Sequence, residues 1–253
     1  MISFATQTIL HMINKRVLTG FVFMAVFFAW SFSLSAQNEQ LEINKTDEKG
    51  RKQGEWKTSY PNGILRYEGF FQDGNPEGIF NYYDSTGQLK ARNTFESNGN
   101  IAWHQAFAVN GFVIAKGKFV EQQKDSIWLY YAETDSLLIA SETYNKGLLH
   151  GESVTYFSGS EQPAEVLNYS NGRLDGLWIK YFEDGTIQTR ATYVDDQLEG
   201  EFVTYHPNGE IMLIGQYHQG EKLGTWKTYD EEGNLLNEDV YKPLGQELDV
   251  EEW

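Results

Sequence analysis

The sequence predicts an all-β fold: an elongated, twisted single-layer antiparallel meander of repeated β-hairpins, with no helix in the mature chain. Three observations predict it. A glycine or small residue followed two positions later by an aromatic, or by its replacement, recurs as Gly54-Glu-Trp56, Gly78-Ile-Phe80, Ser126-Ile-Trp128, Gly151-Glu-Ser153, Gly176-Leu-Trp178, Gly200-Glu-Phe202 and Gly224-Thr-Trp226, at spacings of 24, 48, 25, 25, 24 and 24 residues. The 48 is two periods of 24, so one supersecondary unit is copied along the chain and buries its apolar surface on its neighbours. Between these markers, short aromatic-rich runs alternate with glycine-bearing turn dipeptides, the signature of hairpins. The composition agrees, with 7 Trp, 15 Tyr and 16 Phe against only 5 Pro.

In chain order, residues 1–36 read as a signal peptide. Met12-Ile-Asn-Lys15-Arg16 is a short basic region, and Val17 to Leu34 is apolar and uncharged. Ser33-Leu-Ser35-Ala36 supplies small residues ahead of Gln37, which places cleavage after Ala36. Residues 1–11 carry no charge, so Met12 is an alternative start. An uncleaved anchor is the alternative fate, because the apolar stretch approaches the roughly 20 residues that span a bilayer. Residues 37–49 form a lead-in, 50–241 an array of about eight units, and 242–253 an acidic tail or cap.

Residues 176–199 show one unit most clearly. Trp178 to Phe182 is a run of large residues, Asp184-Gly185 is a hairpin dipeptide, and Ile187 to Tyr193 alternates apolar or small with polar residues. Two strands joined by a tight turn result. A primed turn is expected there, because its positive φ suits glycine and its twist suits the strands. Equivalent turns are Pro61-Asn-Gly63, Ser85-Thr-Gly87, Val109-Asn-Gly111, Pro207-Asn-Gly209 and Glu231-Glu-Gly233. Short returns such as Gln72–Glu77 and Gln219–Leu223 bring consecutive hairpins edge to edge.

Aromatics at matching positions predict two ladders. One holds Trp56, Phe80, Trp128, Trp178, Phe202 and Trp226, and the other Phe71, Phe95, Phe119, Tyr193, Tyr217 and Tyr241. Two units depart from this plan. The unit from 102 has Ala102 at the marker and His104 at the aromatic position, and the unit from 151 has Ser153 for the aromatic and inserts Pro163. Proline donates no ladder hydrogen bond, so a looser sheet is expected near 160–165, and the most regular sheet over 176–241.

Tyr67-Glu-Gly69-Phe-Phe71-Gln-Asp-Gly74-Asn-Pro-Glu-Gly78-Ile-Phe80 resembles the MORN repeat, roughly Tyr-x-Gly-x-aromatic-x-x-Gly-x-x-x-Gly-x-aromatic. Tyr217-His-Gln-Gly220-Glu-Lys-Leu-Gly224-Thr-Trp226 is similar to its second half, and the likeness runs from about residue 50 to 241. The Gly-x-Trp form is most similar to the bacterial variant of the family, many members of which carry the label of antitoxin in a toxin–antitoxin system. The resemblance implies a sheet used for protein contacts or scaffolding, without catalytic residues.

The remaining residues point the same way. A formal charge of −16 disfavours nucleic acid, whose phosphates demand Lys and Arg, and disfavours anionic membrane surfaces. Without cysteine there is no thiol nucleophile or cysteine-ligated zinc. His104, His150, His206 and His218 fall in different places without ligand spacing, and only His206 and His218 share a repeat. Asp195-Asp196, Asp230-Glu231-Glu232 and the tail acids are solvated charge of loops and ends. No catalytic residue, metal site or cofactor is expected. Trp253 with its acidic neighbours reads as part of an end cap, not as a membrane-barrel terminus.

A one-layer sheet leaves aromatics partly uncovered, which makes Tyr82, Tyr83, Tyr130, Tyr131, Tyr156, Tyr181, Tyr205 and Tyr229 the candidate contact residues. The expected function is that of an exported, non-enzymatic repeat protein. It would be periplasmic, outer-surface or secreted, and would bind an unidentified protein or envelope component without stable membrane insertion once the signal is removed. A glycan-binding surface and an antitoxin-like inhibitor are the alternatives.

Overall fold

The repeat is realised in a computed structural model, which describes residues 42–242. The expected signal peptide, the lead-in as far as residue 41 and the tail from residue 243, Trp253 included, lie outside those residues. Nineteen strands follow one another: β1 (Lys45–Thr46), β2 (Lys52–Ser59), β3 (Leu65–Gln72), β4 (Asn75–Tyr83), β5 (Leu89–Glu96), β6 (Ile101–Phe107), β7 (Val113–Val120), β8 (Gln123–Tyr131), β9 (Leu138–Asn145), β10 (Leu148–Tyr156), β11 (Pro163–Ser170), β12 (Arg173–Leu174), β13 (Gly176–Tyr181), β14 (Ile187–Val194), β15 (Gln197–Leu198), β16 (Gly200–Tyr205), β17 (Ile211–His218), β18 (Glu221–Tyr229) and β19 (Leu235–Tyr241). Consecutive strands pair antiparallel in one open meander that ends at β1 and β19. Among the described residues there is no helix.

Strands make their substantial contacts only with sheet neighbours, so the sheet is one layer thick. Its core is correspondingly thin. The buried apolar residues are Phe80, Ala102, Ala108, Trp128, Ala191, Val203 and Trp226.

The turns correct one expectation. At Pro61-Asn-Gly63 the amide of Gly63 donates to Tyr60 O at 2.9 Å and that of Tyr60 to Ile64 O at 2.8 Å, with positive φ at Gly63 alone. That is a type I turn closed by a glycine bulge, and Asp184-Gly185 has the same form, so these are not primed turns. The primed geometry lies at the opposite edge, in two-residue returns such as Asp73-Gly74 (φ 53° and 84°) and Gln219-Gly220 (50° and 83°). Glu121-Gln122 and Asp195-Asp196 adopt it without any glycine.

What the marker glycine does is set by register. Phe70 pairs with Glu77 and Glu68 with Asn81, so Gly78, Ile79 and Phe80 of β4 all lie opposite one residue, Gly69 of β3. Gly78 permits this two-residue excess by a φ of 67°, and the Phe80 ring lands on Gly69, where any Cβ would fall inside it. Trp128 lies on Gly117 and Trp226 on Gly215 in the same way. At Ala102 the device is absent: β5 and β6 pair without a break from Glu96–Ile101 to Ala91–Ala106. The two residues move into the return loop, which runs over Ser97–Asn100.

The two 25-residue spacings also have a location. Tyr131 pairs with Leu138 and Tyr156 with Pro163, enclosing 132–137 and 157–162, one residue more than the loop between Ser59 and Leu65. Pro163 opens β11 beside a one-residue bulge that the other hairpins share, so the sheet near 160–165 is no looser than elsewhere. The most regular ladder is not over 176–241 either. Glu199 interrupts a strand there, splitting β15 from β16, whereas the Ala102 unit pairs straight through.

Candidate functional site

Alternation along each strand gives the sheet two unlike faces. One carries the repeat aromatics. The two predicted ladders are a single interleaved series there: Trp56–Phe71 (5.9 Å between centroids), Phe71–Phe80 (5.1 Å) and Phe80–Phe95 (5.0 Å), then His104–Phe119 (5.5 Å) and Phe119–Trp128 (4.8 Å). It resumes through Trp178, Tyr193, Phe202 and Tyr217 to Trp226 and Tyr241. Most of these pairs meet edge to face, as the ring quadrupole favours. The series breaks where Ala102 and His104, and again where Ser153, replace the marker or the ring.

Sequence reasoning missed a third member of this face. Lys52, Lys124 and Lys222, each two residues before the marker, hold Nζ at 4.5, 4.6 and 4.2 Å from the rings of Trp56, Trp128 and Trp226. The signal was present as Lys-x-small-x-Trp, repeated three times. Each ammonium caps a ring face with its cation–π attraction while staying at the surface.

Of the eight candidate tyrosines, Tyr82 and Tyr130 belong to the ring face. Tyr82 stacks on Phe80 at 6.3 Å, and burial raises its pKa despite a hydrogen bond with Asn93. Tyr130 Oη accepts from Lys124 Nζ at 2.6 Å, and Lys124 also donates to Tyr144, which donates to Glu142 at 2.6 Å. Burial first, then the Glu142 carboxylate, pushes the Tyr130 phenol far up. Tyr83, Tyr131, Tyr156, Tyr181, Tyr205 and Tyr229 each end the first strand of a hairpin and belong to the opposite face. Tyr83 Oη donates to Glu68 at 2.8 Å, and Lys116 Nζ lies 5.1 Å from the Tyr131 ring. All eight are half-buried, so none stands free of its neighbours.

A repeated row of exposed apolar side chains falls elsewhere on that second face. Ile79, Trp103 and Ile127 occupy the residue after the marker in three consecutive units and are 56%, 50% and 59% exposed. Phe70 lies beside Ile79 and is also exposed. The same position holds Glu55, Glu152, Glu201 and Thr225 in other units, and Leu177, less exposed, in one more. This row was legible in the sequence as an apolar residue between marker and ring, but its exposure follows from the bulge. Charge divides the sheet similarly: residues 42–123 carry ten acids and ten bases, and 124–242 carry 21 acids against eight bases.

Among the described residues no group of His, Asp and Glu has the geometry to hold a metal. His206 and His218 lie at opposite ends of a hairpin. His206 Nε2 is 2.9 Å from Tyr229 O and His218 Nδ1 is 2.9 Å from Glu199 Oε1.

A family model described as MORN repeat variant matches residues 52–73, 174–195, 198–219 and 222–242. No curated protein matches the chain. The stretch between the first and second matches keeps the same hairpins, but it contains Ala102 and Ser153 and has Asn93, Glu142 and Leu167 opposite Phe80, Trp128 and Ser153, where Gly69 and Gly215 stand opposite Trp56 and Phe202.

Proposed function

We propose that this chain, which carries four MORN repeats of the variant type, is an exported, non-enzymatic binding module that takes a protein partner in the cell envelope. The observation that carries the proposal is the row of Ile79, Trp103 and Ile127 with Phe70, a repeated exposed apolar stripe on a one-layer sheet. Such stripes cost solubility unless a partner covers them. Phe70, Ile79 and Trp103 lie in the half whose charges balance and Ile127 just past its end, so a partner of either sign can approach most of the row, and aromatic and aliphatic anchors of this kind dominate interface energies. The half-buried tyrosines beside it supply a polar rim.

The test is crosslinking of the exported protein in intact cells with a photoreactive residue at position 79, 103 or 127. The reading expects one recurrent crosslinked protein, lost in an Ile79→Lys, Ile127→Lys variant that keeps its β-sheet spectrum. Crosslinks that are diffuse, or unchanged in that variant, refute it. Sequencing the mature amino terminus for a start at Gln37 checks the export part separately.

A further inference from the structure

The missing ring at His104 leaves more than a gap in a series. In the regular stretch Phe71, Phe80 and Phe95 touch in succession at 5.1 and 5.0 Å, so the Phe80 ring fills the space between its neighbours. One unit later the corresponding filler is His104. It turns toward Phe119 at 5.5 Å and is 2.7 Å from Asn93 through Nδ1, and it makes no ring contact with Phe95. Ala102 is the floor beside it, buried and too small to close the space.

A cavity of about 490 Å³ results on the ring face, walled by Phe95 and Phe119. A second hollow of about 700 Å³ adjoins it across Asn75, Pro76, Phe95 and Asn98. The rim is the enlarged return loop. Ser97, Asn98 and Gly99 are all left-handed, with φ of 52°, 56° and 80°, a run that non-glycine residues adopt only under constraint. The loop is held in that form. Gly99 N donates to Glu96 O at 3.0 Å, Glu121 N donates to Asn100 O at 2.7 Å, and a Cβ on Gly99 would lie 2.7 Å from Pro76.

The chemistry of the 490 Å³ lining differs from the rest of the chain. It contains no charged residue, although the chain has 36 acids and 20 bases, and it brings together five side-chain amides: Asn75, Asn93, Asn98, Asn100 and Gln122. Elsewhere the position of Asn100 holds Lys52, Lys124 or Lys222, whose ammonium caps the ring. We infer that this notch is a binding site for a neutral saccharide. Amides both donate and accept, which matches hydroxyl groups that do the same, and the faces of Phe95 and Phe119 attract the C–H edges of a sugar ring. A cavity of this volume with aromatic walls, a few polar groups and no charge in its own lining suits a neutral ligand, and the adjoining hollow, lined also by Asp73, Glu77 and Glu96, repels anions.

The test uses the full mature chain with N-acetylglucosamine trimer, mannotriose and maltotriose as separate probes, read by saturation-transfer NMR and by titration calorimetry. At least one should bind saturably below about 10 mM, and Asn98→Asp with Asn100→Asp should weaken it tenfold or more, as should Phe95→Leu. The Asp variants lie on an exposed loop, and a Val240→Lys variant, on exposed β19 far from the notch, should bind normally. No saturable binding by any of the three, or binding unaffected by the Asp variants, overturns the assignment.

Discussion

Ala102 and Gly224 stand at the same place in the repeat, yet the sheet around them is built differently. At Gly224 the strand carries two residues more than its partner, φ is 70°, and Trp226 is driven onto Gly215 until only 2% of it is exposed. At Ala102 the strands pair evenly, the two residues lie in the loop, and His104 Nδ1 is hydrogen-bonded to Asn93 Oδ1, which accepts, instead of a ring packing flat on a glycine of β5. The period survives because chain length is conserved while its placement shifts between bulge and loop. The marker glycine is therefore a device for seating a ring, and removing both glycine and ring converts the same length of chain into a notch.

Breaking the regular side of this comparison should have the largest effect. Gly215→Val puts a branched side chain into the Trp226 ring and is expected to destabilise by about 3 kcal/mol in urea denaturation. Asn93→Val, which faces His104, should cost only about 1–2 kcal/mol for the hydrogen bonds lost to His104 and Tyr82. Equal costs at the two sites would erase the distinction.

The next effect concerns backbone alone. Gly224→Ala should cost about 1–2 kcal/mol, because alanine must enter the left-handed region. Ala102→Gly should cost about 0.5–1 kcal/mol through chain entropy, since the pairing there is already regular. Ser126 sits at a marker with φ 59°, so Ser126→Gly should stabilise by about 1 kcal/mol, giving one substitution of the series the opposite sign in thermal denaturation.

A finer contrast separates two regular units. Trp128 Nε1 donates to Lys118 O at 3.1 Å, whereas the buried Trp226 Nε1 has no partner. Replacement by Phe should therefore cost about 1 kcal/mol more at Trp128 than at Trp226, and measured unfolding free energies decide it.

The smallest effect is a pH dependence confined to the notch. Burial, then the charge of Lys124, holds the His104 pKa below its ordinary 6.5. Above pH 6.5 the imidazole is neutral in both states and its contribution is fully present. As pH falls below 6.5 the unfolded chain takes up a proton that the folded chain resists, so stability declines until the folded imidazole also titrates. His104→Phe should remove that slope from urea midpoints measured between pH 7 and 5, and an unchanged slope would place its origin elsewhere.

The two halves also differ in what they offer a partner. Residues 42–123 balance their charges and expose Ile79 and Trp103, while 124–242 are strongly acidic. Much of this was readable in advance. The marker spacing fixed the hairpin count, the residues of the rings and the units that would lack one. The primed turns lie at the edge opposite the one that Asp-Gly and Asn-Gly suggest, because those dipeptides fit both a primed turn and a type I turn with a glycine bulge, and only strand pairing discriminates between them. The tyrosines are conspicuous in the sequence by size, but their partial burial depends on the residue that the preceding unit supplies, such as Glu68 for Tyr83.

The sequence by itself determined the repeat, the all-β class, the single-layer meander and the places where the aromatic series lapses. These follow from local turn chemistry and from a period that cannot change without breaking every later pairing. Tertiary structure alone decided which face each side chain takes, that two ladders are one, and that Ala102 opens an uncharged cavity while Ser153 lies beside the charged Glu142. The physical reason is register: a two-residue excess at one glycine moves a ring onto the neighbouring strand, and no residue announces that excess until both strands are paired.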